Sequence, residues 1–324
     1  MELDGRIRKR LDSLTKPQGS LGRLEELALQ VGLIQGTDMP SVGRKAMLLF
    51  CADHGVVEEG VSPYPQSVTG QMVANFRAGG AAITVLCRQY GIEPVIVDMG
   101  VGKPTRNFTR EPAMSREETQ RAVETGIAHA ADGDLLGAGE MGIGNSTAAA
   151  ALLCAFTGAD PRDAAGRGTG LDQAGVARKA EVIARALALH RPDPADPLGV
   201  LAALGGFEIA AIAGLILGAA QKRGATQKRR VVVLDGFISC SAALVVRAME
   251  PAALDCLVYS HRSAERGHRR MLEALSARPL LDLDMRLGEG TGAAIGISLV
   301  ESAVRLYREM ATFESAGVST DLIY

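Results

Sequence analysis

The sequence has no tryptophan, and aromatic residues make up only 4% of its 324 residues. It also lacks an excess of either charge, because 35 Lys and Arg residues against 37 Asp and Glu residues leave a formal net charge of −2. Duplex nucleic acid and anionic membrane surfaces are bound by strongly basic surfaces. The balance of charge therefore excludes these partners and favours a small molecule.

Cysteine is too sparse to shape the fold. The five cysteines are odd in number, widely spaced and without a C-x-x-C pair, which argues against a disulfide framework and against a zinc site. His261 and His268 lack the i,i+4 spacing of a helical metal pair, and the other histidines are dispersed, so no metal is expected. Residues 1–14 lack the continuous apolar segment of a secretory signal, and we expect a cytoplasmic protein.

One apolar run, residues 198–220, is long enough to reach across a bilayer. Its single charged residue, Glu208, lies near the centre, where a membrane span tolerates an acid poorly. Gly205 and Gly206 also divide the run into two shorter pieces. We therefore predict a buried helix that begins near Gly206, and no membrane span.

The sequence does contain a repeated alternation of strand and helix patterns. The run at 230–235 is β-branched and continuous, as in a strand that is covered on both faces. Strands are predicted at residues 46–51, 94–99, 135–136, 230–235 and 257–259. Helices are predicted at residues 20–35, 67–90 with a break at 79–80, 116–130, 146–156, 172–189, 206–223, 239–249, 263–277 and 291–313. This alternation predicts an α/β fold with a doubly wound parallel sheet.

Ligands of open α/β sheets bind beyond the carboxyl ends of the strands, so glycine-rich loops at those positions are candidate sites. Residues 137–142 match the dinucleotide pattern G-x-G-x-x-G. The preceding strand is short and the next helix starts after Asn145, beyond the third glycine, so a tight turn against the sheet is favoured over a dinucleotide site. Glu140 and Asn145 remain candidates for the ligand crevice.

Two further loops have the pattern of anion sites. Gly166, Gly168 and Gly170 alternate before a helix, so that successive backbone N–H groups can converge on an anion such as phosphate; a flexible turn between helices is the alternative. Residues 260–265 lie between a strand and a helix. Ser263 can cap that helix and donate a hydrogen bond to a phosphate oxygen, although capping alone would account for it.

The last glycine-rich loop, residues 287–292, places Glu289 between two glycines before the final helix. A flat ligand can approach such a carboxylate closely, so Glu289 is a candidate general base. The alternative is an exposed first-turn acid that complements the helix dipole, and the residues taken alone favour this alternative.

These loops occur together with four other motifs: K-P-Q-G-S-L-G-R-L-E at 16–25, C-A-D-H-G-V at 51–56, L-G-G-F-E at 204–208 and L-D-G-F-I-S at 234–239. In this combination and order, the sequence resembles the nicotinate-nucleotide–dimethylbenzimidazole phosphoribosyltransferase family. The resemblance extends from Lys16 to Val318 and is more specific than any single glycine pattern.

The resemblance implies transfer of the phosphoribosyl group of nicotinate mononucleotide to 5,6-dimethylbenzimidazole. The products would be nicotinate and α-ribazole 5′-phosphate, which serves the lower nucleotide loop of cobalamin. It also implies a homodimer without metal or organic cofactor, and a Rossmann-like sheet with a smaller helical domain built from terminal segments. We therefore expect residues 41–290 to form the nucleotide-binding domain, and residues 1–40 and 291–324 to form the smaller one.

The resemblance also assigns roles to residues. The family motif R-L-G-E-G-T-G falls on residues 286–292 and makes Glu289 the catalytic base. Phosphate binding falls on two segments whose residues are Gly166, Arg167, Gly168, Thr169 and Gly170, and Ser263, Ala264 and Glu265. Other candidates for the crevice are Glu140, Asn145, Glu208 and Asp235, with Glu208 and Glu140 next in line as bases.

The acceptor pocket implied by the resemblance is apolar. Its residues are Tyr64, Met72, Met285 and Leu287. Such a wall suits a methylated benzimidazole, but it also admits other azoles, purines or phenols as acceptors. Two other functions remain open: an NAD-dependent oxidoreductase that uses residues 137–142, and a non-catalytic protein that binds the nucleotide as a sensor or subunit.

Overall fold

A computed structural model describes residues 2–168, 170–221 and 228–319 of the chain. Thr169 of the predicted phosphate segment and Arg223 at the predicted end of a helix lie outside these ranges. The centre of the fold is a parallel sheet with the strand order β2-β1-β3-β4-β5. Its strands are β1 (Lys45–Cys51), β2 (Glu93–Asp98), β3 (Leu135–Met141), β4 (Val231–Leu234) and β5 (Leu257–Tyr259).

Helices connect and cover these strands. They are α1 (Leu3–Ser13), α2 (Arg23–Gln35), α3 (Ser67–Ala78), α4 (Ala82–Tyr90), α5 (Arg116–His129), α6 (Asn145–Thr157), α7 (Pro161–Ala164), α8 (Gln173–His190), α9 (Pro197–Leu204), α10 (Phe207–Ala220), α11 (Phe237–Met249), α12 (His268–Ala274), α13 (Thr291–Glu309) and α14 (Phe313–Ala316). Short 3₁₀ turns occupy Gly55–Glu59 and Pro251–Cys256. The predicted doubly wound α/β fold is confirmed.

The sheet is buried between two helical layers. On one side, α10 packs against β1, β3 and β4, and α5 packs against α10. On the other side, α13 packs against β3, β4 and β5, and α2 and α4 pack against α13. Every residue of β4 is buried, as expected for a strand with both faces covered. The buried strands therefore leave only their carboxyl ends and the loops after them within reach of a ligand.

The apolar run at 198–220 forms α9 and α10, which confirms the predicted buried helix starting near Gly206. Gly214 and Gly126 explain how α10 and α5 approach so closely: a Cβ atom on Gly126 would lie 1.8 Å from the carbonyl oxygen of Ala211, and one on Gly214 would lie 1.9 Å from that of Val123. Among the described residues, no helix is both long and apolar enough to span a bilayer.

The two ends of the chain meet beside α13. Helices α1 and α2 pack together, and α2 packs against α13. Leu14 forms a bridge with Thr312, and the hydroxyl of Tyr307 donates a hydrogen bond of 2.7 Å to the carbonyl oxygen of Asp38. Because α13 also contacts the sheet, the terminal segments share the apolar core of the strands. The division into domains at residues 40 and 290 stays a prediction.

One error in the predicted elements concerns β3, and another is that helix α1 was not predicted. This strand runs from Leu135 to Met141 and not only over residues 135–136, so Gly137 and Gly139 lie inside the sheet. A Cβ atom at Gly137 would lie 2.7 Å from the sulfur of Met47, and one at Gly139 would lie 2.8 Å from the carbonyl oxygen of Glu289. Glycine is disfavoured in strands by propensity, but here it permits close packing of neighbouring segments.

Two predicted helix starts are also wrong. The helix expected from residue 20 begins at Arg23, because Gly22 has a φ of 53° and interrupts the turn, so Ser20 is not its N-cap. The helix expected from residue 263 begins at His268, and the hydroxyl oxygen of Ser263 instead accepts a 3.2 Å hydrogen bond from the N–H of Glu265 within the loop. The loop after β5 is therefore longer than predicted.

Candidate active site

A cavity of about 520 Å³ lies beyond the carboxyl ends of β3, β4 and β5. Parallel sheets place their ligand crevices at this edge, because the loops after the strands converge there. The loops that line the cavity include those predicted from the glycine patterns. We call its two walls the glycine end (Gly168, Gly170, Ser263 and Glu265) and the carboxylate end (Glu140, Asp235 and Glu289).

The glycine end is built from two loops that touch. Gly168 and Gly170 have φ values of +52° and +121°, in the left-handed region that favours glycine. A Cβ atom on Gly166 would lie 2.0 Å from a carboxylate oxygen of Glu265, so only glycine permits this contact. The N–H of Gly168 donates to the Glu265 carboxylate. In this structure, the loop therefore already holds one anionic group.

A buried lysine lies beneath the glycine end. Lys179 on α8 is 1% exposed, and its Nζ donates a 3.1 Å hydrogen bond to the hydroxyl oxygen of Ser146. Nζ would also lie 3.0 Å from a Cβ atom on Gly168, so the ammonium group is directly below the loop. Burial lowers the pKa of Lys179 to about 8, and the negative charge of Glu265 opposes this fall. The lysine thus stays mainly cationic at neutral pH.

Sequence reasoning missed Lys179, although a signal was present. Helix α8 buries the positions of Ala180, Val182 and Ile183, and Lys179 lies on the same stripe. A lysine is rarely fully buried unless it has a partner. A charged residue in the apolar stripe of an amphipathic helix is therefore a candidate for a functional group.

The loop after β5 is fixed by a neutral histidine. The N–H of Ser263 donates a 2.8 Å hydrogen bond to Nδ1 of His268, and the N–H of Ala264 donates one of 2.9 Å to the carbonyl oxygen of Met285. Burial lowers the pKa of His268 to about 3, so Nδ1 remains unprotonated and able to accept. Of the other predicted phosphate-binding residues, Arg167 and Ala264 are exposed and do not line the cavity.

Glu289 at the carboxylate end has an unusual backbone. Its φ is +62°, and it lies between Gly288 and Gly290, whose φ values are +81° and +84°. It lies before α13, which starts at Thr291, and it is only 7% exposed, so it is not an exposed acid in the first helical turn. Burial, and next the negative charge of Asp235, raise the pKa of Glu289 to about 7.

Glu140 stands beside Glu289 at the end of β3. One of its oxygens accepts a 3.4 Å hydrogen bond from the N–H of Glu289, and the other accepts a short hydrogen bond from the side-chain amide of Asn145. Burial, followed by the charges of Asp235 and Glu208, raises the pKa of Glu140 to about 8. Glu140 therefore holds a proton at neutral pH, while Glu289 is near its midpoint.

Asp235, the third carboxylate, follows β4 and is 1% exposed. Its two oxygens accept hydrogen bonds from the backbone N–H groups of Gly290, Gly292 and Ala293. Burial raises the pKa of Asp235, while His261 and these N–H donors oppose the rise. The sequence placed Asp235 in the crevice but did not reveal its contact with the Glu289 turn.

Only two of the four predicted acceptor residues line the cavity. Tyr64 and Leu287 line the cavity, and they are 49% and 58% exposed. Met72 on α3 and Met285 are half-buried and do not line it. The crevice candidates also divide: Asn145 lines the cavity, whereas Glu208 is fully buried outside it. An oxygen of Glu208 lies 2.7 Å from Nε2 of His54.

No group of three or more His, Cys, Asp or Glu side chains within residues 2–168, 170–221 and 228–319 is placed to hold a metal ion. The cavity wall offers hydrogen-bond donors and carboxylates with raised pKa values, and one buried cation lies beneath it. This arrangement can bind an anion at one end and accept a proton at the other.

Comparison with known proteins identifies the family. A family model described as phosphoribosyltransferase matches residues 1–318. The nicotinate-nucleotide–dimethylbenzimidazole phosphoribosyltransferase of Roseiflexus sp. (strain RS-1) is 51% identical and covers 96% of this chain and 92% of its own length. The protein of that name from Cupriavidus necator is 52% identical, with 96% and 93% covered. The crystal structure of CobT from Thermus thermophilus has a TM-score of 0.91 at 44% identity, with 98% and 99% covered.

The chain belongs to the nicotinate-nucleotide–dimethylbenzimidazole phosphoribosyltransferase family. It is a transferase, and the resemblance stated from its motifs is confirmed. Family membership argues against the oxidoreductase, and the structure agrees. Gly137 and Gly139 lie within β3, and α6 begins at Asn145, so the glycines do not form the turn between strand and helix that a dinucleotide requires.

Proposed function

We propose that the protein transfers the 5-phosphoribosyl group of nicotinate mononucleotide to 5,6-dimethylbenzimidazole and releases nicotinate and α-ribazole 5′-phosphate. The similar proteins named above support this choice of substrates. The observation that carries it is a single cavity with a buried cation under glycine N–H groups at one end and a carboxylate of pKa about 7 at the other. These two ends suit the phosphate and the acceptor base, respectively.

The phosphate of the nucleotide lies, in this proposal, between residues 166–170 and residues 263–265. The hydroxyl of Ser263 lines this part of the cavity and can donate a hydrogen bond, and Lys179 beneath Gly168 supplies positive charge. Glu265 does not bind phosphate itself; its charge keeps Lys179 protonated. A nucleotide complex with its phosphate elsewhere in the cavity would contradict this placement.

Glu289 acts as the general base. One nitrogen of the benzimidazole attacks C1′, and the carboxylate removes the proton from the other nitrogen, so that the attacking ring stays electron-rich. The electrons of the broken glycosidic bond return to the ring nitrogen of nicotinate, which is cationic in the substrate and becomes neutral. Attack opposite nicotinate inverts the anomeric carbon from β to α, through a transition state with oxocarbenium character.

Glu140 supports this step without taking part in the proton transfer. With a pKa raised to about 8, it is neutral at pH 7 and adds little negative charge to the carboxylate end. If both glutamates were ionised, each would disfavour the charge of the other and push their pKa values further apart. The neutral Glu140 thereby leaves Glu289 as the group that can ionise for catalysis.

Acceptor selection rests on Tyr64 and Leu287, which are exposed parts of a cavity wall that other apolar residues also line: Met141, Ile143, Phe237 and Ile238. The cavity also admits other azoles, purines or phenols of similar size. Among these acceptors, those with an ionisable N–H or O–H can use Glu289 in the same way. Met72 and Met285 are expected to influence acceptor choice less, because they do not reach the wall.

We further propose that the protein works in the cytoplasm as a homodimer without a cofactor. All five cysteines are free and buried, which suits a reducing compartment. The dimer follows from the family resemblance, and light scattering coupled to size-exclusion chromatography would measure it. A mass equal to one chain at micromolar concentration would contradict the dimer.

The reaction is tested by incubating the protein with nicotinate mononucleotide and a panel of bases, and by measuring nicotinate and the riboside product. Nicotinate release that depends on added dimethylbenzimidazole, with an α-anomer identified by NMR, is the expected result. Release without any base would indicate a hydrolase. Binding of the nucleotide without release would indicate a sensor or subunit.

A further inference from the structure

The turn that carries Glu289 is held by a side chain from another part of the fold. Asp235 follows β4 and is 1% exposed, in direct contact with the start of α13. One of its oxygens accepts hydrogen bonds of 2.7 Å from Gly292 N–H and 3.2 Å from Ala293 N–H. The other accepts one of 3.0 Å from Gly290 N–H. A single carboxylate thus binds three of the four residues that follow Glu289.

This contact replaces a missing local cap. Helix α13 is preceded by Gly290, which has no side chain to bind the free N–H groups of the first turn. Three consecutive residues, 288–290, have left-handed φ values, which is uncommon at a residue other than glycine. Asp235 both satisfies the N–H groups of the helix start and fixes the residue after Glu289.

We infer that Asp235 is a positioning residue for the reaction, holding the 288–293 turn so that the Glu289 carboxylate projects into the cavity. This inference rests on the proposed role of Glu289. Asp235 also lines the cavity, but its two oxygens are already committed to backbone donors. Its effect on the reaction is therefore exerted through Glu289 and not by a proton transfer of its own.

The charge of Asp235 acts on the same residue. The groups that face it are Glu140 at the end of β3, Glu289 before α13, His261 after β5 and the thiol of Cys240 on α11. Nδ1 of His261 lies 3.8 Å from an oxygen of Asp235. Replacing Asp235 by asparagine removes one negative charge near Glu289, so the pKa of Glu289 should fall while burial still keeps it above its ordinary value.

Asparagine also disturbs the hydrogen bonds. It has nearly the same shape, but one of its two terminal atoms is a donor, which cannot accept from a backbone N–H. At least one of the bonds to Gly290 or to Gly292 and Ala293 is therefore lost. A small displacement of a reacting group can lower turnover by about 100-fold.

The test compares Asp235→Asn with Asp53→Asn. Asp53 is a matched control because it is buried, follows β1, and accepts a 2.7 Å hydrogen bond from Gly102 N–H, away from the Glu289 turn. Asp235→Asn should lower kcat by about 100-fold, leave the dissociation constant of nicotinate mononucleotide within about threefold, and move the acid limb of the kcat profile to lower pH. Asp53→Asn should leave that limb in place. An unchanged kcat and acid limb in Asp235→Asn would overturn the inference.

A second measurement needs no variant. Amide hydrogen exchange of the wild-type protein should show protection at Gly290, Gly292 and Ala293 despite their position at a helix start. Exchange as fast as that of unstructured amides would overturn the contact with Asp235. This result is independent of the proposed function: if Glu289→Gln keeps full turnover, the base is wrong, whereas the exchange data still report whether Asp235 holds the turn.

Discussion

The two ends of the cavity both depend on glycine, but for different reasons. At the glycine end, Gly166 and Gly168 bring backbone N–H groups and a neighbouring loop together, and the charged group, Lys179, comes from a helix below. At the carboxylate end, Gly288 and Gly290 flank the charged residue itself and permit its left-handed turn. Glycine thus shapes the backbone of the cavity wall at one end and flanks a cavity-lining carboxylate at the other.

Burial also acts on the two ends in opposite directions. It lowers the pKa of Lys179 to about 8 and raises the pKa of Glu289 to about 7 and that of Glu140 to about 8. In each case, removal from water disfavours the charged form. At neutral pH, the glycine end remains cationic, while the carboxylate end keeps one proton and has one group ready to accept another. In the proposed reaction, the cavity therefore separates nucleotide binding from proton transfer.

The largest expected effect is that of Glu289→Gln, which should remove proton transfer and leave nucleotide binding intact. The amide keeps the shape but cannot accept the azole proton, so turnover should fall by roughly 10²- to 10⁴-fold, the range for loss of a general base. Binding of nicotinate mononucleotide, measured by calorimetry, should survive because the glycine end is unchanged. The defect should shrink for an N-alkylated benzimidazole that fits, because that acceptor has no proton to lose.

A matched control for this variant is Glu117→Gln. Glu117 is an exposed acid in the first turn of α5, which is the role that Glu289 would have if it only complemented a helix dipole. Its replacement should not change turnover. If Glu289→Gln retained turnover close to that of the wild type with saturating dimethylbenzimidazole, the base would have to be sought elsewhere, with Glu140 next in line because Glu208 lies outside the cavity.

The converse change at the glycine end is Lys179→Met. Loss of a hydrogen bond to a charged group costs about 1.5–3 kcal/mol, so the KM for nicotinate mononucleotide should rise roughly 10- to 100-fold. The kcat at saturating nucleotide should change less, because the carboxylate end is intact. Steady-state kinetics would separate the two constants.

The control for this prediction is Lys103→Met, which removes an exposed lysine outside the cavity. It should leave both constants unchanged. A lower kcat without a change in KM for Lys179→Met would mean that the lysine acts on the transition state and that binding and proton transfer are not separated as described. Thermal unfolding of both variants would show whether either substitution affects the fold.

The pH dependence of stability tests the carboxylate end separately from the reaction. The folded-state pKa of Glu140, about 8, lies above its ordinary value of 4.5, so the stability that its neutral form contributes is full below pH 4.5 and is lost as pH rises through 8. In urea denaturation between pH 5 and 8.5, the contribution of this group should decline by at most about 1.4 kcal/mol per pH unit.

Glu140→Gln should flatten this decline, because glutamine does not titrate. The acid limb of kcat should remain in that variant if Glu289, with a pKa of about 7, is the group that must lose its proton. A decline of equal slope in Glu140→Gln would assign the titration to another residue. This experiment therefore separates the two glutamates, which differ in pKa by only about one unit.

Sequence patterns located the glycine loops and Glu289 that the structure brings to one cavity, and they predicted the fold class, but they missed part of the architecture around the cavity. A loop that needs convergent N–H groups or a left-handed residue must use glycine, so residues 166–170 and 287–292 are visible in one dimension. The prediction gave only two of the seven residues of β3, because Gly137 and Gly139 have low strand propensity. Their burial between β1 and α13 overrides that propensity.

Contacts between segments that are distant in the sequence could not be predicted from it. Asp235 and Gly290 are 55 residues apart, and their hydrogen bond depends on the order of β4 and α13 in space. Lys179 lies beneath Gly168 only because α8 folds back after the glycine loop. Residues that act on a loop from another element leave no local pattern, whereas residues within the loop do.

The smallest expected effect concerns acceptor choice. Tyr64 lines the cavity and Met72 does not, although both were predicted to contact the acceptor. Tyr64→Ala removes an aromatic contact that is typically about 0.5–1.5 kcal/mol, so the relative kcat/KM of dimethylbenzimidazole and a smaller azole should change roughly 2- to 10-fold. Met72→Ala, the matched control, should leave that ratio unchanged, and neither variant should alter nucleotide binding. A larger change in the ratio for Met72→Ala than for Tyr64→Ala would mean that the acceptor lies nearer to α3 than the cavity in this structure.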